Sequence, residues 1–526
     1  MVSTFHSIEV GKRGIVAQQT AISTTGHNIT NANTPGYTRQ IASMTAARPI
    51  LYPGLHNKGT APGQLGMGVE VDSIRRMRDV LLDQEYRNQN TSMNTWKVKQ
   101  EALGNIEGIV NEPSENSLSK SITEFWNAWQ TLSKNPSSAD ISARSVVQQK
   151  AIALAETFNH MASRLNVLQD NLTERINVKV EESNNYIKQV SDLTEMIRKV
   201  EASGDHANDL RDQRDLIVDK LSAIGNVKVV ETPDNYQVTM GNVMIIDGIN
   251  STSISLADVP TLTGGEIQGY VESRDVFVAE YMKQLDIMAN TLATGKVEVT
   301  LPKGSILPPG VVIPGAVTDP SNPRKLMEDT KYTVDGINGL HKLGYTLDNP
   351  ATTGKDFFTV GNGGTGPITA DNIRLNPLIV ENVSNIAVSM RTEMISKPPA
   401  APVETVIQGN GDMALLIAGL SERTFNFNPM GNNGAITNTG TYSGYFQAVV
   451  SQLGTQADHA TKMSENSILL SGHADNLRQA ISSVSIDEEA SNLIKFQHAY
   501  SASSRVITTV DEMLDKLING TGIVGR

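Results

Sequence analysis

The sequence predicts a multidomain α+β protein, elongated, with coiled-coil-like N- and C-terminal helices paired at one pole, a long α-helical rod domain and inserted β-rich outer domains. Three observations carry this expectation. Apolar residues recur every seventh position at both ends of the chain, several interior stretches step by three and four, and two interruptions are rich in strand and turn signals. A chain of 526 residues also exceeds what one hydrophobic core usually fills.

The elements follow in order. Ile8, Ile15, Ile22 and Ile29 lie seven apart with Phe5 on the same side, and Gly11, Ala17, Gln18, Ala21 and Thr25 lie between them. One strong row makes a helix that is marginal alone in water and suited to pairing. At "NITNANTPGY" the pattern stops, with Asn28, Asn31 and Asn33 crowded before Thr34, Pro35, Gly36 and Tyr37. Thr34 precedes proline and is pushed out of helical geometry, which predicts the end of a helix begun near Ser3. Pro35 presets the second position of a turn and Gly36 supplies positive φ in the third, while the asparagines tolerate left-handed geometry.

Arg75, Arg76 and Arg78 form the one tight basic cluster, read as a solvated face. Phe158, Met161, Leu165, Leu168 and Leu172 then make a helical ladder that Ile187, Val190, Ile197 and Val200 resume. In "NDLRDQRD", Arg211 and Asp215 are four apart and positioned to pair on another solvated helix face. From 227 to 264 the alternation of Val227, Val229, Tyr236, Val238 and Met240 predicts strands, with Gly241-Asn242 as a turn. Tyr270, Arg274, Phe277, Tyr281, Leu285, Met288 and Leu292 restore helical spacing. Prolines 302, 308, 309, 314, 320 and 323 exclude a helix after it. Tyr442, Phe446, Val449, Leu453, Ala460, Met463 and Leu470 give a further rod helix.

At the C-terminal end Ser485 and Glu488 have capping-box spacing, and Asp487, Glu488 and Glu489 suit a helix N-terminus. Leu493, Tyr500, Ile507 and Leu514 form one seven-residue row, and Phe496, Ser503, Val510 and Leu517 a second. These rows predict a domain of 1–45 with 480–526, a helical rod domain of 46–225 with 266–294 and 441–479, a small β insert at 226–265, and a β-rich outer insert at 295–440. The two chain ends then meet.

Chemistry finds little purchase. There is no cysteine, which removes thiol nucleophiles and zinc–thiolate sites. The nine histidines form no HExxH, and His27, His341 and His498 read as structural or surface residues. "GNGGTGP" at 361–367 lacks the lysine and Ser/Thr of a phosphate loop. No catalytic, metal-binding or cofactor-binding residues are assigned, and no cofactor is expected. A net charge of -12 disfavours a general nucleic-acid binder. No stretch is long and apolar enough for membrane insertion, and the first 25 residues lack the apolar run of a cleaved signal peptide.

Two stretches at opposite ends resemble a family. "NITNANTPGY" at 28–37 is similar to the N-terminal signature of the flagellar axial proteins of the rod, hook and hook-associated groups. "DEEASNLIKFQHAYSASSRVI" at 487–507 is similar to their C-terminal signature. "TRQ" after the turn, "NDLRDQRD", and the length with its β inserts narrow the resemblance to the hook-associated protein 1 family. That resemblance implies a structural component of the bacterial flagellum: an adaptor ring joining hook to filament, required for filament assembly, and no enzyme. It implies extracellular location at the hook–filament junction after type III export without a cleaved signal. The implied partners are further copies of the chain in a ring, the hook protein, the next hook-associated protein on the filament side and a cytoplasmic export chaperone. Asn28, Asn31, Asn33, Thr34, Pro35, Gly36 and Tyr37 would be an assembly motif. Ile8, Ile15, Ile22, Ile29, Leu493, Phe496, Tyr500, Ile507, Val510, Leu514 and Leu517 would form the terminal-helix seam. Two other readings stay open: a hook or distal rod subunit, and an adhesin or enzyme domain displayed on a flagellar axial protein.

Overall fold

A computed structural model describes residues 5–51, 64–110, 117–136, 141–232, 235–361, 364, 366–395, 402–428 and 434–520. It is a mixed α+β structure. In chain order, helix α1 (His6–Thr30) leads into strands β1 (Gln40–Ala46), β2 (Ile50–Leu51), β3 (Gln64–Leu65) and β4 (Val69–Arg76). Helices α2 (Val80–Val110), α3 (Leu118–Lys134), α4 (Ser142–Glu201) and α5 (Asn208–Ile224) follow. Strands β5 (Val227–Glu231), β6 (Tyr236–Met240), β7 (Val243–Asp247) and β8 (Asn250–Ser251) precede helix α6 (Gly265–Glu272). A π-helical turn at Ser273–Val278 joins α6 to α7 (Ala279–Thr294).

Next come β9 (Lys296–Leu301), β10 (Thr318–Asp319), β11 (Asn322–Leu326), β12 (Thr330–Asp335), helix α8 (Gly336–His341), β13 (Phe358–Val360), β14 (Ile373–Leu375) and helix α9 (Pro377–Glu381). Strands β15 (Thr392–Ile395) and β16 (Val403–Val406), helix α10 (Asp412–Gly419), and strands β17 (Phe425–Asn426) and β18 (Thr439–Gly440) complete the region. Helices α11 (Tyr442–Ser482) and α12 (Ile486–Gly520) close the chain. No described helix is long and apolar enough to cross a membrane.

The chain divides into two compact units: Met1–Trp96, Asn177–Gly269 and Ser464–Arg526 in the first, Lys97–Ile176 and Tyr270–Met463 in the second. In the first unit, α1 packs along α12 and against the β1–β4 hairpin. That antiparallel hairpin has a bulge between Ser43 and Met44. Its strands were not expected from the sequence, although Val69, Val71 and Ile74 carry a two-residue alternation broken by one step. The meander β5-β6-β7-β8 answers the expected strands at 227–264. Val227, Val238, Met240, Ile245 and Ile246 are buried, and Gly241 at φ 58° begins the two-residue turn to β7.

The second unit holds most of the large rings. Phe125 and Trp129 of α3 meet Phe357 at centroid distances of 6.1 and 5.3 Å, and Phe358 stands 5.9 Å from Phe125. Its four-stranded sheet runs β12-β9-β17-β18. Phe427 stacks on Tyr445 at 4.0 Å, and the Tyr442 hydroxyl donates to the Met288 carbonyl at 3.0 Å. The proline-rich segment after β9 forms turns, with Ile306 bridged to Lys325. The glycine run at 361–367 lies partly outside the described residues.

Candidate functional site

The helix stop sits earlier than the proline alone would place it. Helix α1 ends at Thr30, and the Asn31 N–H still reaches the His27 carbonyl. Asn31 Nδ2 donates to the same carbonyl at 3.1 Å, and Thr34 Oγ1 donates to Asn31 Oδ1 at 3.1 Å. The asparagine side chain thus satisfies a helix end before Pro35 can act. A second turn closes with the Tyr37 N–H on the Thr34 carbonyl at 3.1 Å, Gly36 holding φ 78° at its third position. A Cβ on Gly36 would stand 3.0 Å from Leu216 Cβ, so space and backbone both select glycine.

Asn28 is buried and uses its whole amide. Its Nδ2 donates to the Gln40 carbonyl at 2.8 Å and to Glu489 Oε2 at 3.0 Å. Its Oδ1 accepts from the Gln40 N–H at 3.0 Å and the Tyr37 hydroxyl at 2.8 Å. The side chain therefore pairs with the backbone after the turn as a neighbouring strand would. Glu489, 2% exposed, also accepts from Arg39 Nε at 2.8 Å. Arg39 NH1 reaches Glu488 at 2.8 Å, and the Arg39 N–H reaches the Ser482 carbonyl at 2.9 Å. One arginine thus holds the turn to the end of α11 and the start of α12. The expected cap is half present: the Glu488 N–H meets Ser485 Oγ at 3.4 Å, while the Glu488 carboxylate serves Arg39. Burial, then the Asp209, Asp212 and Glu489 charges, raises the Tyr37 pKa and keeps its hydroxyl a donor.

Helix α5 continues the network and corrects the expectation of a solvated face. Asp212, Arg214, Asp215 and Asp219 are buried. Arg76 NH1 bridges Asp212 and Asp215 at 2.8 and 2.9 Å, Arg78 meets Asp83 at 2.5 Å and Asp215 at 3.1 Å, and Arg87 Nε meets Asp219 at 2.7 Å. Arg478 of α11 takes the other Asp219 oxygen at 2.5 Å and lies over the Tyr86 ring. Burial raises the Asp215 pKa, but Arg78, Arg76, Arg87 and Arg214 outweigh it and hold the carboxyl below its ordinary range. Of the basic cluster only Arg75 is exposed; Arg76 and Arg78 are anchors. Arg211 pairs with Glu201 and Glu231 instead of Asp215. The Thr38 N–H donates to Asp212 at 2.9 Å, which joins this cluster to the turn. Removing one partner from a buried group of this kind leaves an uncompensated charge, at a cost of about 3–5 kcal/mol.

The expected seam residues lie beside this cluster. The fully buried face of α1 is Gly11, Gly14, Ala17, Ala21, Thr24, Thr25 and Asn28, and Ile8, Ile15, Ile22 and Ile29 are half-buried on its flank. A Cβ on Gly11 would lie 2.7 Å from Ile507, and one on Gly14 would lie 2.8 Å from Ser503. Small residues thus let α12 approach closely. Leu493, Phe496, Ile507, Val510 and Leu514 are half-buried, and Tyr500 and Leu517 are exposed. Asn33, Thr34 and Pro35 stand exposed beside a cavity of about 280 Å³ that Leu216, Arg478 and Val484 also line. Sequence reasoning missed Arg39, Arg76, Arg78, Arg87 and Arg478. Their partners lie on distant segments, and only the recurrence of acidic positions on α5 signalled them.

A model of the flagellar hook-associated protein FlgK helical domain matches residues 103–296. Models of a flagella basal body rod protein and of the flagellar basal body rod FlgEFG protein C-terminal region match 8–38 and 478–520. Those two hold the turn and the glutamates that Asn28 and Arg39 join. Flagellar hook-associated protein 1 of Bacillus subtilis (strain 168) is 33% identical over 546 residues, spanning 100% of both chains. The protein of that name from Escherichia coli (strain K12) is 25% identical over 570 residues, covering 96% of this chain and 98% of its own. In fold alone, the flagellar hook junction protein FlgK from Burkholderia pseudomallei is similar at TM-score 0.50 and 15% identity, covering 76% of this chain and 100% of its own. Relatedness that runs from end to end of the chain settles the assignment: it belongs to the flagellar hook-associated protein 1 family.

Proposed function

We propose that this chain is a structural adaptor whose copies form a ring between hook and filament and on which the filament is built. The observation that supports it most is the latch, where 28–40, 208–219 and 488–489 meet in one buried network. A subunit whose terminal helices join it to its neighbours needs those helices held in register to its body, and buried polar pairs can supply register. In this reading residues 1–45 with 480–526 are the assembly part, with Asn28, Asn31, Asn33, Thr34, Pro35, Gly36 and Tyr37 as its motif. The rod segments at 46–225, 266–294 and 441–479 and the β inserts at 226–265 and 295–440 then form the outer part. Ile507 of the seam rows lies against α1 of its own chain, and the residues left exposed, Tyr500 and Leu517, are the ones turned toward neighbouring copies. The hook protein and the next hook-associated protein lie on either side of the ring, a cytoplasmic chaperone escorts the chain before export, and export needs no cleaved signal.

A strain lacking the gene tests this. Hooks without filaments, restored by the intact gene and not by a Glu489→Ala, Arg39→Ala double variant, are the expected result. Missing hooks would favour a hook or distal rod subunit and overturn the adaptor reading.

A further inference from the structure

The helical segment 270–294 lies wholly in the second unit and carries the one π-helical turn among the described residues, Ser273–Val278. A regular α-helix brings every third or fourth residue to the same side. The sequence shows such a ladder in Tyr270, Arg274, Phe277 and Tyr281, with Arg274 as its polar exception. The structure buries a different set: Tyr270, Ser273, Val278, Tyr281, Leu285 and Met288. Arg274 and Phe277 are half-buried, and Asp275 and Val276 are exposed. The buried series steps by three or four except once, with a step of five from Ser273 to Val278. That wide step holds one residue more than an α-helical turn needs. It also keeps the Arg274 guanidinium out of the core, where Nε and NH2 donate to Asp275 at 2.7 and 2.9 Å.

The turn is not a break in the helix. Glu272 before it and Ala279 after it are both helical, at φ -64°, ψ -36° and φ -61°, ψ -39°. Both flanks are tethered within the same unit. Before the turn, Arg175 NH1 donates to the Tyr270 hydroxyl at 3.4 Å. After it, the Tyr281 hydroxyl donates to Gln456 Oε1 at 2.7 Å, and Met288 takes the Tyr442 hydroxyl on its carbonyl. Bending therefore collects between the tethers, at the one place where the backbone bonds are irregular and water reaches the side chains. Helices kink at such turns and open first where their hydrogen bonds meet solvent.

We propose that 273–278 is a flexible joint built into this helix, and that its surplus residue is kept for bending and not for packing. This rests on the adaptor reading above. A subunit with hook on one side and filament on the other is strained wherever those two assemblies differ, and the joint gives that strain a place to go. Deleting Val276 turns the step of five into four, restores α-helical spacing and keeps Ser273, Val278 and Tyr281 facing inward.

That deletion in the full-length chain is the test, beside Val276→Ala, which keeps the surplus residue. In hydrogen exchange read by mass spectrometry, the amides of 274–280 in the intact protein should exchange roughly tenfold faster than those of 284–292. The deletion should bring the two stretches to one rate without lowering the melting temperature. Equal rates in the intact protein overturn the joint. A lower melting temperature in the deletion shows that the surplus residue serves packing, and overturns it as well. In cells the deletion should build filaments in normal number and lose most of them under calibrated shear, while Val276→Ala cells keep theirs. Filaments retained as in the unaltered strain overturn the bending role and leave the adaptor reading standing. Filaments on a strain lacking the gene altogether overturn the adaptor reading itself.

Discussion

Asn28 holds the C-terminal helix through a carboxylate and the chain after the turn through both backbone groups of Gln40. Asn28→Ala removes those bonds and takes the partner from two donors, the Gln40 N–H and the Tyr37 hydroxyl, and from two acceptors, the Gln40 carbonyl and Glu489, a loss of about 2–4 kcal/mol. Hydrogen exchange in α1 and the first turns of α12 should accelerate together, and Asn28→Asp should be worse because it sets a second carboxylate against Glu489. His341 behaves differently. Its Nδ1–H donates to the Lys355 carbonyl at 2.6 Å, and its Nε2 accepts from the Ala387 N–H at 2.9 Å, so the neutral ring satisfies both. Burial lowers its pKa to about 4, with the Lys355 hydrogen bond and the Asp356 charge opposing only in part. The unfolded ring takes up its proton near pH 6.5. Stability is therefore fully present above that value and falls by about 3 kcal/mol as pH drops toward 4, then levels. Urea unfolding followed by tryptophan fluorescence reads it locally, since Trp129 and His341 both lie against Phe357. A flat profile from pH 7 to about pH 4 counts against a neutral buried ring. From the sequence His341 read as a structural or surface residue, and nothing local marked its burial.

Among the elements, spacing was the legible part. The ladder at Phe158, Met161, Leu165 and Leu172 is buried along α4, and the strands expected after Val227 form the meander. Charge was the misread part. "NDLRDQRD" looked solvated because the partners of its aspartates, Arg76, Arg78 and Arg87, are not neighbours in sequence. At 28–37 the turn with Gly36 at positive φ was read correctly, but the helix ends at Thr30 through Asn31 and not through Pro35, and Asn28 serves residues on both sides. The small-residue face of α1 was likewise visible in composition, while its role as the contact face was not, because isoleucines dominate any apolar count. Gly11→Val should therefore push α1 off Ile507 and make both terminal helices exchange faster. Gly104→Ala in α2, where a Cβ meets nothing within 4 Å, should instead stabilise by roughly 0.5–1 kcal/mol. Thermal melts of the two variants, moving in opposite directions, are the check.

Across the whole molecule, recognition of the family came from two short signatures near the ends, and the structure joins those same ends. Asn28 and Glu489 are 461 positions apart. That contact costs much chain entropy to close and cannot form until nearly all of the chain is present. A chain truncated after residue 485 should keep the second unit folded and lose protection throughout His6–Thr30, as mapped by hydrogen exchange with mass spectrometry. Full protection of α1 in that truncation would show that the hairpin alone holds it.

Such a contact makes the fate of α1 depend on a segment far along the chain. A polypeptide that stops before Glu489 leaves Asn28 and Arg39 without their carboxylate, and its first helix has no α12 to lie against. Damage at one signature is therefore felt at the other, so the two behave as a single unit under mutation.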